Sequence, residues 1–120
     1  MNAEIISIGS ELLLGQIVDT NASWIAKRLA ENGVNLFYKT TVGDNLERMT
    51  DILDRALDRS DVVITGGGIG PTQDDLTREA IAQVTERDVV TDPASLIELR
   101  ERFQKRGFVL TKNNERQAQI

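Results

Sequence analysis

The sequence predicts an α/β fold of three layers, α/β/α, in which a mostly parallel sheet lies between helices. Three short apolar runs, at residues 3–8, 34–42 and 61–65, have the composition of strands. Segments with apolar residues at helical spacing separate these runs. Because strands that alternate with helices need crossover connections, we expect a parallel sheet within a single domain.

The first half of this fold runs from a strand through one helix to a second strand. The strand of residues 3–8 ends at Gly9, and Asp19 or Thr20 can cap the helix that follows. Gly33 stands where that helix should end, directly before the second strand.

The second half contains three predicted helices and the third strand. Asp44 has a glutamate three residues later and resembles the start of a capping box. The helix after the third strand is expected to be capped by Asp74 or Asp75, and Asp92 precedes a proline that marks the last helix. Residues 113–120 begin a further element without completing it, so we expect a domain truncated at its C-terminus.

Composition excludes several classes of function. The formal net charge of −5 argues against nonspecific nucleic-acid binding, and no apolar run reaches the roughly 20 residues that span a bilayer. With no histidine and no cysteine, the common zinc sites and the Ser–His or Cys–His pairs are excluded. We therefore expect a cytoplasmic protein without nucleic-acid or membrane partners, whose acid–base chemistry depends on carboxylates, lysine, tyrosine or metal-bound water.

The segment of residues 65–75, Thr-Gly-Gly-Gly-Ile-Gly-Pro-Thr-Gln-Asp-Asp, is the most informative part of the chain. Glycine lets backbone N–H groups approach a ligand closely, and a helix cap needs only one glycine. Four glycines in five positions therefore predict a phosphate site, with a tight strand-to-helix connection as the structural alternative. Asp74 and Asp75 would repel a bare phosphate, which predicts a divalent cation between carboxylate and phosphate oxygens.

Two other turns are expected at the same edge of the sheet, because ligands bind beyond the carboxyl ends of parallel strands. One contains Gly9, Ser10 and Glu11 and leads to Asn21, and the other contains Asp44. Each also has a structural interpretation, as a helix start or a plain turn. The glycine segment lacks the Lys-Ser/Thr of a P-loop and the G-x-G-x-x-G spacing of a dinucleotide fold.

These motifs resemble the N-terminal domain of the CinA family of competence/damage-inducible proteins, within the molybdopterin-binding, MoaB/MogA-like superfamily. The resemblance covers residues 1–120 as one domain, and family members continue beyond it with a further loop and more strands. The stretches that carry it are residues 4–16, 19–21, 42–45, 67–77 and 114–118.

The resemblance implies hydrolysis of ADP-ribose-like dinucleotides to AMP and ribose 5-phosphate, with Mg²⁺, Mn²⁺ or Co²⁺. The substrate-binding residues would be Gly9, Ser10, Asn21, Gly66, Gly67, Gly68, Gly70 and Thr72. The catalytic residues would be Glu11, Asp44, Asp74 and Asp75, of which the three aspartates would also contact the metal.

Two alternatives stay open beside this pyrophosphatase hypothesis. One is a molybdopterin-binding or adenylyl-transferring domain, and the other is a non-catalytic nucleotide-binding module. In each case the ligand would be a nucleotide or a pterin phosphate, and the superfamily implies a homo-oligomer.

Overall fold

A computed structural model describes residues 1–120. The strands are β1 (Asn2–Ile8), β2 (Asn35–Val42) and β3 (Val62–Gly66). The helices are α1 (Ser10–Leu13), α2 (Thr20–Glu31), α3 (Leu46–Arg59), α4 (Thr77–Thr85), α5 (Pro93–Lys105) and α6 (Lys112–Glu115), followed by a 3₁₀ turn at Arg116–Ala118.

The three strands form one sheet in the order β2–β1–β3, and both pairs are parallel. Helix α2 packs against β1 and β2, whereas α3 packs against β1 and β3 and also against α4. Alternate residues of a strand point to opposite faces, so Ile6 and Ile8 face α3 while Ile5 and Ser7 face α2. The predicted α/β class and parallel sheet are confirmed.

The main apolar core lies between β1 and the helices α3 and α4. The predicted apolar face of α3 supplies Met49, Leu53 and Ala56, all buried, and these side chains cluster with Ile6 and Ile8 of β1. Burial of these side chains holds α3 against the sheet, directly before β3 begins.

The opposite end of β1 contains a buried ion pair. Glu4 is 1% exposed and accepts hydrogen bonds from Arg59 and from the Ser60 hydroxyl. The Arg59 guanidinium holds the pKa of the Glu4 carboxyl below its ordinary value, although burial opposes this. It also lies 3.5 Å from the centre of the Tyr38 ring. The pair joins β1 to the end of α3, far from the carboxyl ends of the strands.

Two predicted helix caps are wrong. Helix α3 is capped by Asn45, whose side chain accepts from the Arg48 amide, because the Asp44 carboxylate bonds to Ser10 instead. Helix α4 has no side-chain cap, since Asp75 turns back to bond with Thr72.

The predicted caps Asp19 and Asp92 are confirmed, because their carboxylates accept from the amides of Ala22 and Ser95. The turn predicted after β1 contains the short helix α1. No helix of the chain is long and apolar enough to cross a membrane.

Residues 111–120, here called the terminal segment, return to the residues that precede α5. Thr91 and Gln119 form an antiparallel bridge, and Val90 exchanges two backbone hydrogen bonds with Ile120. This pairing carries Arg116 back towards α4 and the loop that follows β3.

Candidate functional site

The carboxyl ends of the three strands meet at one edge of the sheet, where a cavity of about 240 Å³ opens beside the start of α2. Four predicted site residues line this cavity: Glu11, Asn21, Gly66 and Gly67. They come from three separate parts of the chain, as expected for a parallel sheet. Half of the fourteen lining residues are hydrophobic, so the cavity combines an apolar wall with a polar rim.

A second cavity, larger than the one at the edge of the sheet, lies elsewhere on the protein. An open groove of about 800 Å³ lies between α3 and α4, but its walls are almost entirely polar and charged. It contains none of the predicted site residues. The smaller cavity is therefore the better candidate, because it holds convergent polar groups against an apolar wall.

Residues 66–70, here called the glycine loop, begin at the last residue of β3, and a positive φ requires glycine at two of these positions. Gly67 and Gly68 have φ values of +96° and +66°, which L side chains rarely adopt. A Cβ atom would also overlap the Ile8 carbonyl oxygen at Gly67 and the Thr77 hydroxyl at Gly68. At Gly66 a Cβ atom would meet nothing within 4 Å, so packing does not require glycine there.

The chain's own donors hold the carbonyl groups of residues 67–70. Thr77 donates to Gly67 O through its hydroxyl at 2.8 Å and to Gly68 O through its amide at 3.1 Å. The Arg78 guanidinium donates to the next two carbonyl oxygens at 2.5 Å and 3.4 Å. The loop is thus fastened to the first turn of α4 through its oxygen atoms.

The amide groups of the same loop are arranged differently. The N–H groups of Gly67, Gly68 and Ile69 donate to no acceptor within the chain. Gly67 and Ile69 are exposed residues, and Gly68 is half-buried. The Gly70 amide faces the Asp75 carboxylate and helps to lower its pKa. Three consecutive free amides therefore remain at the edge of the sheet.

Asp74 and Asp75 have different environments although they are neighbours. Asp75 Oδ2 accepts from the Thr72 hydroxyl at 2.6 Å and from the Thr72 amide at 2.9 Å. The hydroxyl bond is the main reason that the pKa of Asp75 lies below its ordinary value. Asp74 is exposed and its carboxylate accepts no hydrogen bond. Asp75 and Thr72 thus stabilise the turn after the glycine loop, and Asp74 is free.

The remaining acids also differ in their partners. Asp44 Oδ2 accepts from the Ser10 hydroxyl at 3.1 Å and from the Ser10 amide at 3.3 Å. Glu11 is exposed, and its carboxylate lies so close to Gly9 that a Cβ atom at Gly9 would collide with it. Glu11 therefore faces the cavity, whereas the Asp44 carboxylate is engaged in joining two turns.

The donors of this edge do not fit a preformed metal centre. No group of three or more Asp, Glu, His or Cys side chains lies close enough together to hold a metal ion. Of the three aspartates predicted to contact a cation, Asp44 and Asp75 already bond to neighbouring hydroxyl groups. A cation at this site would have to take most of its ligands from elsewhere.

Three residues that organise the loop were absent from the sequence-based prediction: Thr77, Arg78 and Arg116. Thr77 is buried beneath the glycine loop, and Arg116 reaches the turn after the loop from the terminal segment. Thr77 follows the glycine loop closely enough that local sequence could have suggested it. Arg116 carries no local signal, because its contacts depend on tertiary folding.

Comparison with known proteins gives a consistent family. The family described as "Probable molybdopterin binding domain" matches residues 4–119. A CinA-like protein of Deinococcus radiodurans is 53% identical over 116 residues, which make up 97% of this chain and 29% of that protein. A CinA-like protein of Dictyoglomus thermophilum is 49% identical over 120 residues, again 29% of its length. The chain thus spans less than a third of these curated relatives.

Solved structures agree with the sequence matches. The CinA protein of Thermoplasma acidophilum, described as of unknown function, is 34% identical with a TM-score of 0.88, over 99% of this chain and 69% of that one. MogA is 26% identical with a TM-score of 0.67, over 85% of this chain and 65% of that one. The chain belongs to the molybdopterin-binding-domain family and, within it, to the CinA-like proteins.

Proposed function

We propose that this chain binds a phosphorylated small molecule, a nucleotide or a pterin phosphate, at the carboxyl edge of its sheet. The supporting observation is the asymmetry of the glycine loop, whose carbonyl groups are held internally while the amides of Gly67, Gly68 and Ile69 are free. Free amides that follow one another in such a turn attract anions. The phosphate would be bound by these three groups.

The cavity beside the loop suits the rest of such a ligand. Its apolar wall, which includes Ile17, Val18 and Ile25, can cover the face of a flat heterocycle. Glu11 and Asn21 stand at its polar rim, where a carboxylate accepts and an amide both accepts and donates. These two side chains would bind ribose hydroxyl groups or the edge of the ring.

For the whole protein we propose hydrolysis of ADP-ribose-like dinucleotides, in which water cleaves the pyrophosphate to give AMP and ribose 5-phosphate. The CinA-like sequence is the argument for this reaction. A divalent cation, Mg²⁺, Mn²⁺ or Co²⁺, would arrive with the phosphates, because the chain assembles no group of three acidic ligands. Asp74 is then the exposed carboxylate available to it.

The similarity to MogA supports a second candidate, binding of molybdopterin or adenylyl transfer to it. Both candidates use the free amides for a phosphate, but only the first releases AMP from ADP-ribose. A third candidate, a non-catalytic binding module, predicts thermal stabilisation by ligand without any product.

A screen of ligands against metals separates these candidates. The full-length protein is incubated with ADP-ribose, or with molybdopterin and ATP, in the presence of Mg²⁺, Mn²⁺, Co²⁺ or EDTA, and the products are separated. The proposal expects AMP and ribose 5-phosphate from ADP-ribose only when a cation is present. Stabilisation without product under every metal would favour the non-catalytic module.

Variants test the acidic residues in the same assay. Asp74→Asn and Asp75→Asn are compared with Asp88→Asn, an exposed aspartate in the connection after α4. At least one of the first two should abolish turnover, and Asp88→Asn should retain the wild-type rate. Wild-type rates in both Asp74→Asn and Asp75→Asn would overturn the role proposed for these carboxylates.

A further inference from the structure

The terminal segment contacts the turn after the glycine loop through a single arginine. Arg116 Nη1 donates to Thr72 O at 2.6 Å, and Arg116 Nη2 donates to Asp75 O at 3.0 Å. These are the two residues whose side chains close that turn. One guanidinium therefore contacts both ends of the turn. Arg116 lies 44 residues after Thr72 and 41 residues after Asp75 in the chain.

Glu79 of α4 holds this arginine in place. Arg116 Nη2 also donates to Glu79 Oε1 at 2.7 Å, and the arginine side chain is only 18% exposed. The second oxygen of Glu79 is buried and has no hydrogen-bond partner. A buried carboxylate oxygen is costly without a donor, and the ion pair with Arg116 is the contact that offsets this cost at Glu79.

We propose that Arg116 is a positioning residue of the phosphate site, an inference that rests on the phosphate binding proposed above. It binds no ligand itself. By holding the carbonyl groups of Thr72 and Asp75, it fixes the turn that supports the glycine loop from its C-terminal side. The orientation of the free N–H groups of the loop is thereby fixed before a ligand binds.

A second contact couples the same two regions. Arg78, which holds the carbonyl groups of Ile69 and Gly70, also donates from Nε to the Gln119 carbonyl oxygen at 3.2 Å. The terminal segment is therefore linked to the glycine loop through Arg78 and to the adjoining turn through Arg116. Preorganisation of this kind raises affinity because less conformational freedom is lost on binding.

The test compares Arg116→Ala with Arg100→Ala in the full chain. Arg100 is a matched control, because its guanidinium contacts only Glu115 of the terminal segment, at 3.5 Å, in an exposed ion pair. Binding of inorganic pyrophosphate and of ADP-ribose is measured by calorimetry, and the backbone amide signals of residues 66–75 are followed by NMR without ligand. Thermal unfolding checks that each variant is folded.

We expect Arg116→Ala to bind both ligands about tenfold more weakly, because a turn that is no longer held in place must be ordered on binding. Its amide signals at residues 66–75 should shift or broaden. Arg100→Ala should bind within about twofold of the wild type, because exposed ion pairs contribute little. Arg116→Lys, which keeps the charge but cannot span two carbonyl groups, should fall between them.

The results that would overturn the phosphate site differ from those that would overturn only the positioning role of Arg116. Wild-type protein that binds neither ligand would overturn the phosphate site, and this inference with it. Wild-type binding together with unchanged affinity in folded Arg116→Ala would overturn the positioning role alone. Should Arg116→Ala fail to fold, Glu79→Gln replaces it, and unchanged affinity and amide signals in that variant would likewise overturn the role.

Discussion

The Ser10 hydroxyl donates to the Asp44 carboxylate at 3.1 Å and accepts from the Asp44 backbone amide at 3.2 Å. The two residues lie 34 positions apart and directly follow the neighbouring strands β1 and β2. This reciprocal pair joins two turns of the candidate site. It also explains why Asp44 does not cap α3.

Replacement of Ser10 by alanine should lower the free energy of unfolding by about 1 kcal/mol, because it removes both hydroxyl bonds. Ser23→Ala is the control, since the Ser23 hydroxyl makes only one exposed bond, at 3.3 Å, to the Asp19 carbonyl oxygen. That variant should stay within about 0.5 kcal/mol of the wild type. Equal effects of the two substitutions in urea unfolding would contradict the role of the Ser10–Asp44 pair.

Gly67→Ala should be destabilising and should weaken phosphate binding, whereas Gly66→Ala should leave the stability of the fold unchanged. The added methyl group at position 67 meets the Ile8 carbonyl oxygen and a positive φ, at a cost of about 1–3 kcal/mol. At position 66 it meets open space. Thermal unfolding and pyrophosphate titration of both variants check this, and a stable, tightly binding Gly67→Ala protein would contradict it.

Acid should reveal the difference between Asp75 and Asp74. The pKa of Asp75 lies below its ordinary value of 3.8, chiefly because of the Thr72 hydroxyl, so its ionised form stabilises the fold. That contribution is present above pH 3.8 and is lost as pH falls through the lowered pKa.

Asp75→Asn should therefore be less stable than the wild type at pH 7, and the difference should narrow at acidic pH. Asp74→Asn should be as stable as the wild type at pH 7, because the Asp74 side chain is exposed. Urea unfolding between pH 7 and pH 2 measures both. A constant gap between Asp75→Asn and the wild type would show that ionisation of Asp75 is not the cause.

Two arginines of α3 offer a test of the buried ion pair at the other end of β1. Arg59→Ala leaves the Glu4 carboxylate, which is 1% exposed, with only Ser60 as a partner. We expect Arg59→Ala to be clearly less stable than the wild type, because an unpaired buried charge is costly. Arg55→Ala, which breaks an exposed pair with Asp51, should cost no more than about 0.5 kcal/mol in the same unfolding assay.

The order of helices and strands could be predicted from local signals. Asp92 before a proline, and the apolar spacing of Met49, Leu53 and Ala56, act within one or two turns of helix. The structure agrees with these predictions because no distant residue competes for the same groups. Local sequence was therefore sufficient for the three strands and the four longer helices, but not for the short helices α1 and α6.

The caps of α3 and α4 could not be predicted, because distant or backward contacts decide them. Asp44 and Asn45 are both good caps, and Ser10 selects between them by binding Asp44. Asp75 bonds backward to Thr72 rather than forward to α4. Similarly, the sequence indicates free amides in the glycine loop, but it contains no sign that Arg116 supports the adjoining turn.

The long separation between Thr72 and Arg116 has a consequence for synthesis of the protein. A ribosome adds residues in order, so the loop after β3 emerges before the arginine that braces it. The nascent chain should therefore acquire its sheet early and its full affinity for an anion only after the turn that carries Arg116 has docked.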